Sequence, residues 1–338
     1  MHRVIFDTDL GVDDAHAIVM ALLSPDIKVE GITTVFGNAR VDYCTQNVLY
    51  LLELLRCIDI EVREGAANPM MGEVVLAKPL GQELGRQRSA QAVGGTLPLA
   101  LTPHGEKGLG DFELPPFSNT IAQGNAIQWM VETVLANPGE IEILALGPLT
   151  NIALALRMEP AFGRAVKRVI FMGGALDVPG NVGPLSTANI TLDPEAARLA
   201  FHGGYPIVMV GQDVTRFARL SSAHKERLRA AGTTVTRFLD DITRFYAQYY
   251  FEREPSLREV GHPVHDMLVV AYLLDPSLFT TEKLYVTVET EGAVTRGQTV
   301  ADRREFAPRP PQMDVSMKVD KDALFELYLD IVTQEVNL

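Results

Sequence analysis

Val4-Ile5-Phe6-Asp7-Thr8-Asp9-Leu10-Gly11-Val12-Asp13-Asp14-Ala15 is a short apolar run that ends in four carboxylates within eight positions. Val4-Ile5-Phe6 reads as a buried strand. Ala15, Ala17, Ile18, Ala21 and Leu22 then recur at helical spacing until Ser24-Pro25 stops the run. The acids therefore sit on a strand-to-helix turn. Carboxylates packed this closely repel one another unless a cation or shared protons relieve them. A hard cation with all-oxygen ligands, Ca²⁺ or Mg²⁺, suits such a set. The helix macrodipole accounts for Asp13 and Asp14 in a first turn, but not for Asp7 and Asp9 on the strand side.

The same strand-then-helix alternation continues outward from this turn. Val29 to Val35 reads as a strand ending in Phe36-Gly37-Asn38, followed by a helical face at Val48, Leu51, Leu52 and Leu55. Ile141 to Leu146 leads into Gly147-Pro-Leu-Thr-Asn151 and a helix from Ile152 to Leu156. Arg168 to Met172 leads into Gly173-Gly174, and Pro206 to Val210 into Gly211-Gln-Asp213. Helices are expected from Val235 to about Phe251, from Val264-His265-Asp266 to about Leu274, and from Lys321 to Val332. Late strands are expected at Leu284–Glu289 and Asp314–Val319. The pattern implies an α/β fold, an open, mostly parallel sheet with helices on both faces. Ligands bind such sheets beyond the carboxyl ends of the strands, where Asp7, Asp9, Asn38, Asn151, Gly173-Gly174 and Asp213 all fall. One domain spanning 1–338 is expected, with a loop insertion at about 72–103.

With 43 acids against 30 bases the net charge is −13, which disfavours a nucleic-acid groove or an anionic membrane surface. Cys44 and Cys57 lie thirteen residues apart in or at the end of one expected helix, a separation of ~20 Å that rules out a disulfide. Free thiols, no leader ahead of the first strand and no run of about 18 apolar residues lead us to expect a soluble cytoplasmic protein. The chain carries no strand-coupled GxGxxG, no GxxxxGK, no HExxH and no paired CxxC. Asp-x-Asp after a first strand also opens the haloacid-dehalogenase-type phosphatases, but Gly11 stands where those usually carry Thr or Val. Asp13-Asp14 has no role in their scheme.

The complete set, Asp7-Thr-Asp9-Leu-Gly-Val-Asp13-Asp14-Ala, resembles the N-terminal signature of the inosine–uridine-type nucleoside hydrolases. Val35-Phe-Gly-Asn38, Leu146-Gly-Pro-Leu-Thr-Asn151, Met172-Gly-Gly-Ala and Val264-His265-Asp266 follow in matching order. Asn189-Ile-Thr-Leu-Asp-Pro-Glu-Ala-Ala197 and Thr295-Arg-Gly-Gln-Thr299 extend the likeness over essentially the whole chain. The resemblance implies calcium-dependent hydrolysis of the N-glycosidic bond of ribonucleosides through a ribosyl cation. It implies a Ca²⁺ on Asp9, Asp14, Asp266 and the backbone carbonyl of Leu146, holding a water whose proton Asp9 removes. Asp13, Asn38 and Asn189 would hold the ribose diol, Asn181 would reach the 5′ hydroxyl, and Met172 would line the site. His265 would act on the leaving base, with His104 near the base pocket and Tyr249 and Tyr250 as candidate lining. A homodimer or homotetramer is the family precedent.

One departure stands out. The family usually reads Glu-Phe-Asn or Glu-Trp-Asn where this chain has Thr187-Ala188-Asn189. The missing carboxylate is expected at the 5′ end of ribose and the missing aromatic against the base, so Thr187 is left as the polar group there. Losing a carboxylate beside a developing cation costs a few kcal/mol. Two alternatives to ordinary nucleoside hydrolysis therefore stay open: a modified or 5′-altered riboside as substrate, and a non-catalytic Ca²⁺-dependent riboside binder.

Overall fold

The computed structural model describes residues 1–71 and 103–334. Eleven strands form among them: β1 His2–Thr8, β2 Ile27–Thr34, β3 Val62–Glu64, β4 Ile141–Ala145, β5 Arg168–Met172, β6 Ile207–Val210, β7 Arg219–Leu220, β8 His262–Pro263, β9 Phe279–Val288, β10 Thr299–Asp302 and β11 Met313–Val319. Nine of them make one sheet in the order β10-β9-β11-β6-β5-β4-β1-β2-β3, and β7 pairs with β8 alone. From β3 across to β11 every pairing is parallel; β9 and β10 complete the edge antiparallel. The expected open, mostly parallel sheet is present. The short β3, the helix Ala126–Ala136 and the edge strand β10 are additional to the elements expected. The loop expected over 72–103 lies, apart from Pro103, outside the described residues.

Period-two alternation along buried strands divides the core in two. Val4 and Phe6 of β1, Leu144 of β4 and Ile170 of β5 join one cluster, while Ile5, Ile143, Val169 and Phe171 join the cluster on the opposite face. Burial on both faces explains why these strands read as unbroken apolar runs. Glu142 is the charged residue in β4. It is matched by Arg168 of β5 at 2.6 Å and by His2 at 2.7 Å, so it sits in a paired environment.

The helix Val12–Leu23 is buried from Val12 to Ala21, polar residues included. It packs against the helices Met267–Leu274, Thr234–Arg253 and Lys321–Val332. His16, on its inner side, is satisfied by Tyr328 Oη at 2.5 Å and Thr243 Oγ1 at 2.9 Å, and burial holds its imidazole neutral with a pKa of about 3. Among the described residues no helix is long and apolar enough to cross a membrane.

The strand order places the site. From β1 the chain steps outward to β2 and β3, then returns to lay β4 on the other side of β1. The reversal makes the β1–β4 boundary a topological switch point, and a crevice opens beyond the carboxyl ends there. Asp9 leaves β1 and Leu146 leaves β4 at that crevice.

Candidate active site

Five carboxylates line or underlie this crevice: Asp7, Asp9, Asp13, Asp14 and Asp266. Asp7, still within β1, accepts hydrogen bonds from Thr33 Oγ1 at 2.6 Å and Asn151 Nδ2 at 2.7 Å, tying β1 to β2 and to the helix Thr150–Met158. Burial raises its pKa to about 6. Its role is to brace the turn. Asp14 accepts from Thr8 Oγ1 at 2.5 Å, from the Gly11 amide at 2.9 Å and from Asn38 Nδ2 at 2.9 Å. The Gly11 bond is the side-chain half of a helix N-terminal cap.

Asp9 sits deeper. The Asn38 amide donates to its Oδ2 at 2.7 Å, while its Oδ1 is buried with no partner among the described residues. The carboxylate is held between two glycines. A Cβ on Gly37 would stand 1.9 Å from Oδ2, and one on Gly147 would stand 2.9 Å from Oδ1. Gly37→Ala is therefore expected to displace Asp9 and lower kcat/KM by about 100-fold, the cost of a misplacement of about 1 Å. Far-UV circular dichroism should stay unchanged. Turnover within about threefold of the parent would show that Asp9 tolerates the shift.

Asp13, Asp14 and Asp266 each present an oxygen, and the three atoms lie within 4.8 Å of one another. At that separation each charged pair costs about 3.5 kcal/mol at an effective dielectric of about 20. Three such pairs rival the total stability of a domain. Burial is the main cause that raises Asp14, reinforced by the charge of Asp13; burial also raises Asp266, reinforced by Asp13, Asp14 and Asp9. Asp9 is raised well above its ordinary value by burial and then by Asp14. Among the described residues Asp13 Oδ1, like Asp9 Oδ1, has no hydrogen-bond partner, the His104 Nδ1 atom lying 3.8 Å away. Buried, unpartnered oxygens in a mutually repelling all-oxygen set fit a hard divalent cation. Asp14 and Asp266 of the expected ligand set come together in this trio; Asp9 lies beside it, and the Leu146 carbonyl accepts a hydrogen bond from Asn189 Nδ2.

Above the carboxylates lies a cavity of about 590 Å³, lined in part by Asp13, Asn38, His104, Leu146, Met172, Asn181, Asn189, His265 and Asp266. Asn189 Nδ2 also donates to the Met172 carbonyl at 3.1 Å, joining the ends of β4 and β5. Asn181 Oδ1 accepts from the Ala188 amide at 3.1 Å. Thr187 does not line the cavity: it is buried, and its Oγ1 accepts from the Gly174 amide at 2.8 Å, bracing the glycine turn after β5. Thr187 thus leaves the position expected for a 5′ contact to Asn181 and Ala188.

His265 is fixed at three points. Its amide donates to Asp13 Oδ2 at 3.2 Å, Nδ1 lies 2.9 Å from Thr215 Oγ1, and Nε2 lies 3.2 Å from Tyr250 Oη. Tyr250 Oη is 3.5 Å from Tyr246 Oη, which donates to Asp13 Oδ2 at 3.4 Å. A hydrogen-bonded circuit therefore runs from His265 through two tyrosines to Asp13. Burial lowers the His265 pKa to about 4, so the ring is neutral at pH 7. His104 Nδ1 accepts from the Val12 amide at 3.1 Å, and its ring lies 5.1 Å from that of Tyr246. Burial lowers its pKa to about 4 as well. Tyr246 is a site residue that sequence reasoning missed, because an aromatic at helical spacing beside Phe238 and Ile242 carries the signature of core packing. Gln212 and Arg216, which also line the cavity, carried no signal at all.

The comparisons with known proteins point to one family. A profile described as inosine-uridine preferring nucleoside hydrolase matches residues 4–326. The pyrimidine-specific ribonucleoside hydrolase RihA of Salmonella schwarzengrund is 36% identical over 324 residues, 96% of each chain. The structure of a purine-preferring ribonucleoside hydrolase from Gardnerella vaginalis is similar with a TM-score of 0.85 and 31% identity over 98% of each chain. A plant nucleoside hydrolase gives 0.84 and 31% over 99% of each chain.

Proposed function

The chain belongs to the inosine–uridine preferring nucleoside hydrolase family and is a nucleosidase acting on ribonucleosides, and from that premise we propose how its own residues carry out the reaction. Asp9, Asp14, Asp266 and the Leu146 carbonyl are the proposed holders of a Ca²⁺ ion, with the Asp13 carboxylate beside them. When bound, the ion would neutralise the carboxylates and lower the pKa of the attacking water.

Asp9 is the proposed general base, through the buried Oδ1 that has no hydrogen-bond partner among the described residues. Asp13, Asn38 and Asn189 would hold the ribose diol against the carboxylate floor, and the same negative charge would stabilise the ribosyl cation as it develops. Asn181 would meet the 5′ hydroxyl. His265, being neutral, would offer the departing base a hydrogen-bond donor instead of a full positive charge. Tyr250, on its Nε2, would complete the path by which a proton reaches the base.

The observation that carries this reading is that, among the described residues, buried oxygens of Asp9 and of Asp13, itself one of the trio, have no hydrogen-bond partner at the switch point. The test is ribose release by Ca²⁺-loaded protein from uridine, cytidine, inosine and adenosine. Turnover of uridine or inosine is expected. Ca²⁺ binding without release from any riboside would replace the catalytic roles with riboside binding.

A further inference from the structure

The walls of the cavity differ in charge from its floor. Gln212 and Arg216 follow β6 and stand four residues apart over one helical turn, so they share a face. Both line the cavity, as do Arg219 and, at the mouth, Arg253. Gln212 is only 3% exposed, and its Nε2 has no hydrogen-bond partner among the described residues. It is a buried amide donor in a residue of the cavity wall with no hydrogen-bond partner among the described residues, which costs stability unless something accepts the bond.

The arginines are similarly unspent. Most guanidinium groups elsewhere in this acidic chain are paired with carboxylates, as in Arg168 with Glu142, Arg296 with Glu195 and Arg303 with Asp177. Among the described residues Arg216, Arg219 and Arg253 form no ion pair. Arg216 lies 5.6 Å from the Phe217 ring, and Arg219 Nε donates to the Arg216 carbonyl at 3.3 Å. Arg253 stacks 3.4 Å from the Tyr249 ring. Glu254, the carboxylate at the mouth, accepts instead from Ser256 Oγ at 3.3 Å. Each guanidinium keeps free N–H donors.

We infer that the wall of Gln212, Arg216 and Arg219 recognises an anionic, acceptor-only group, a phosphate or a carboxylate, carried by the riboside substrate. This rests on the hydrolase reading above. The chemistry is complementary: planar guanidinium forks pair with carboxylate and phosphate oxygens in two parallel hydrogen bonds, and the Gln212 amide adds a neutral donor. Two departures from the family pattern point the same way. Thr187 removes a carboxylate that would repel an anion, and Ala188 leaves room beside Asn181.

The wall adjoins the residues proposed for both ends of the riboside. On one side the Gln212 backbone N–H donates to the Gly174 carbonyl at 2.8 Å, and Gly174 is held by Thr187, next to Ala188 and Asn181. On the other, Thr215, the residue before Arg216, bonds His265. The anion is carried either at the 5′ position or on the base.

The test compares kcat/KM of the Ca²⁺-loaded enzyme for uridine, uridine 5′-monophosphate and 5-carboxyuridine, in the parent, Arg216→Ala and Gln212→Leu. One of the two charged ribosides is expected to exceed uridine by about tenfold or more, and Arg216→Ala to lower that ratio about tenfold, the worth of one charge-assisted contact. Raising the salt concentration should lower the ratio as well. The charged riboside that responds identifies the end carrying the anion. Uridine preferred over both, with a ratio indifferent to Arg216→Ala, overturns the inference and leaves the hydrolase reading intact. Absence of free-base release from all three overturns the catalytic roles instead. Calorimetric affinities of the same ribosides for Asp9→Ala then decide the anion preference without turnover.

Discussion

Asp9→Asn is expected to lower kcat for uridine by about two to four orders of magnitude, the range lost with a general base, while KM moves far less. Asparagine has the shape of aspartate and can still accept the Asn38 amide hydrogen bond that now reaches Oδ2 at 2.7 Å. It therefore keeps the turn and removes the proton acceptor together with one negative charge of the floor. Measuring kcat, KM and thermal melting on the same preparation separates chemistry from folding. A variant within about tenfold of the parent would exclude Asp9 as the base. A parent protein that binds uridine as tightly as the variant, with neither releasing ribose, would mark the chain as a binder.

Removing divalent cations with a chelator is expected to abolish ribose release and to make the protein less stable as pH rises. The sign follows from the carboxylates. Asp9, Asp14 and Asp266 have native pKa values raised above the ordinary 3.8 by burial and mutual repulsion. Such groups contribute stability that is fully present below the ordinary value and lost as pH climbs through the raised one. Asp7, raised to about 6, adds to the same slope. The chelated protein should therefore melt at a lower temperature at pH 8 than at pH 5. Ca²⁺ at about a thousandfold above its Kd would restore about 4 kcal/mol, a gain of several degrees in Tm. The gain should widen with pH, since the ion competes with protons for the same oxygens. Equal melting temperatures at pH 8 with and without Ca²⁺ would exclude a cation at this cluster.

The strands whose boundaries were legible, such as Arg168–Met172, are buried on both faces and end in glycine or polar residues, so composition alone marks them. Lys321–Val332 was legible because Asp320 caps it, accepting from the Ala323 amide at 3.1 Å, and its apolar face is regular. The edge strand Thr299–Asp302 was not. It is short, half-exposed and carries no apolar alternation, and its pairing with Phe279–Val288 is what makes it a strand. The same division runs through the site. Asp9, Asp13, Asp14 and Asn38 announce themselves by residue type near strand ends. Tyr246, Gln212 and Arg216 do not, since an aromatic, an amide and a guanidinium on helices read as packing or as solvated surface until something shows what they face.

By itself the sequence determined the sheet, the edge of it that carries the site, and the acidic chemistry of that edge, because strand periodicity and a run of four acids are local properties. Only the tertiary structure decided which carboxylates meet. Asp266 lies some 250 residues along the chain from Asp13 and Asp14 and comes within 4.8 Å of them because the helix it caps, Met267–Leu274, packs against Val12–Leu23. Only the structure, too, turned Thr187 inward onto the Gly174 amide and buried the Gln212 side-chain donor with no hydrogen-bond partner among the described residues. Hydrogen-bond partners and burial are set by elements far apart in the chain, and no spacing rule in a single sequence reports them.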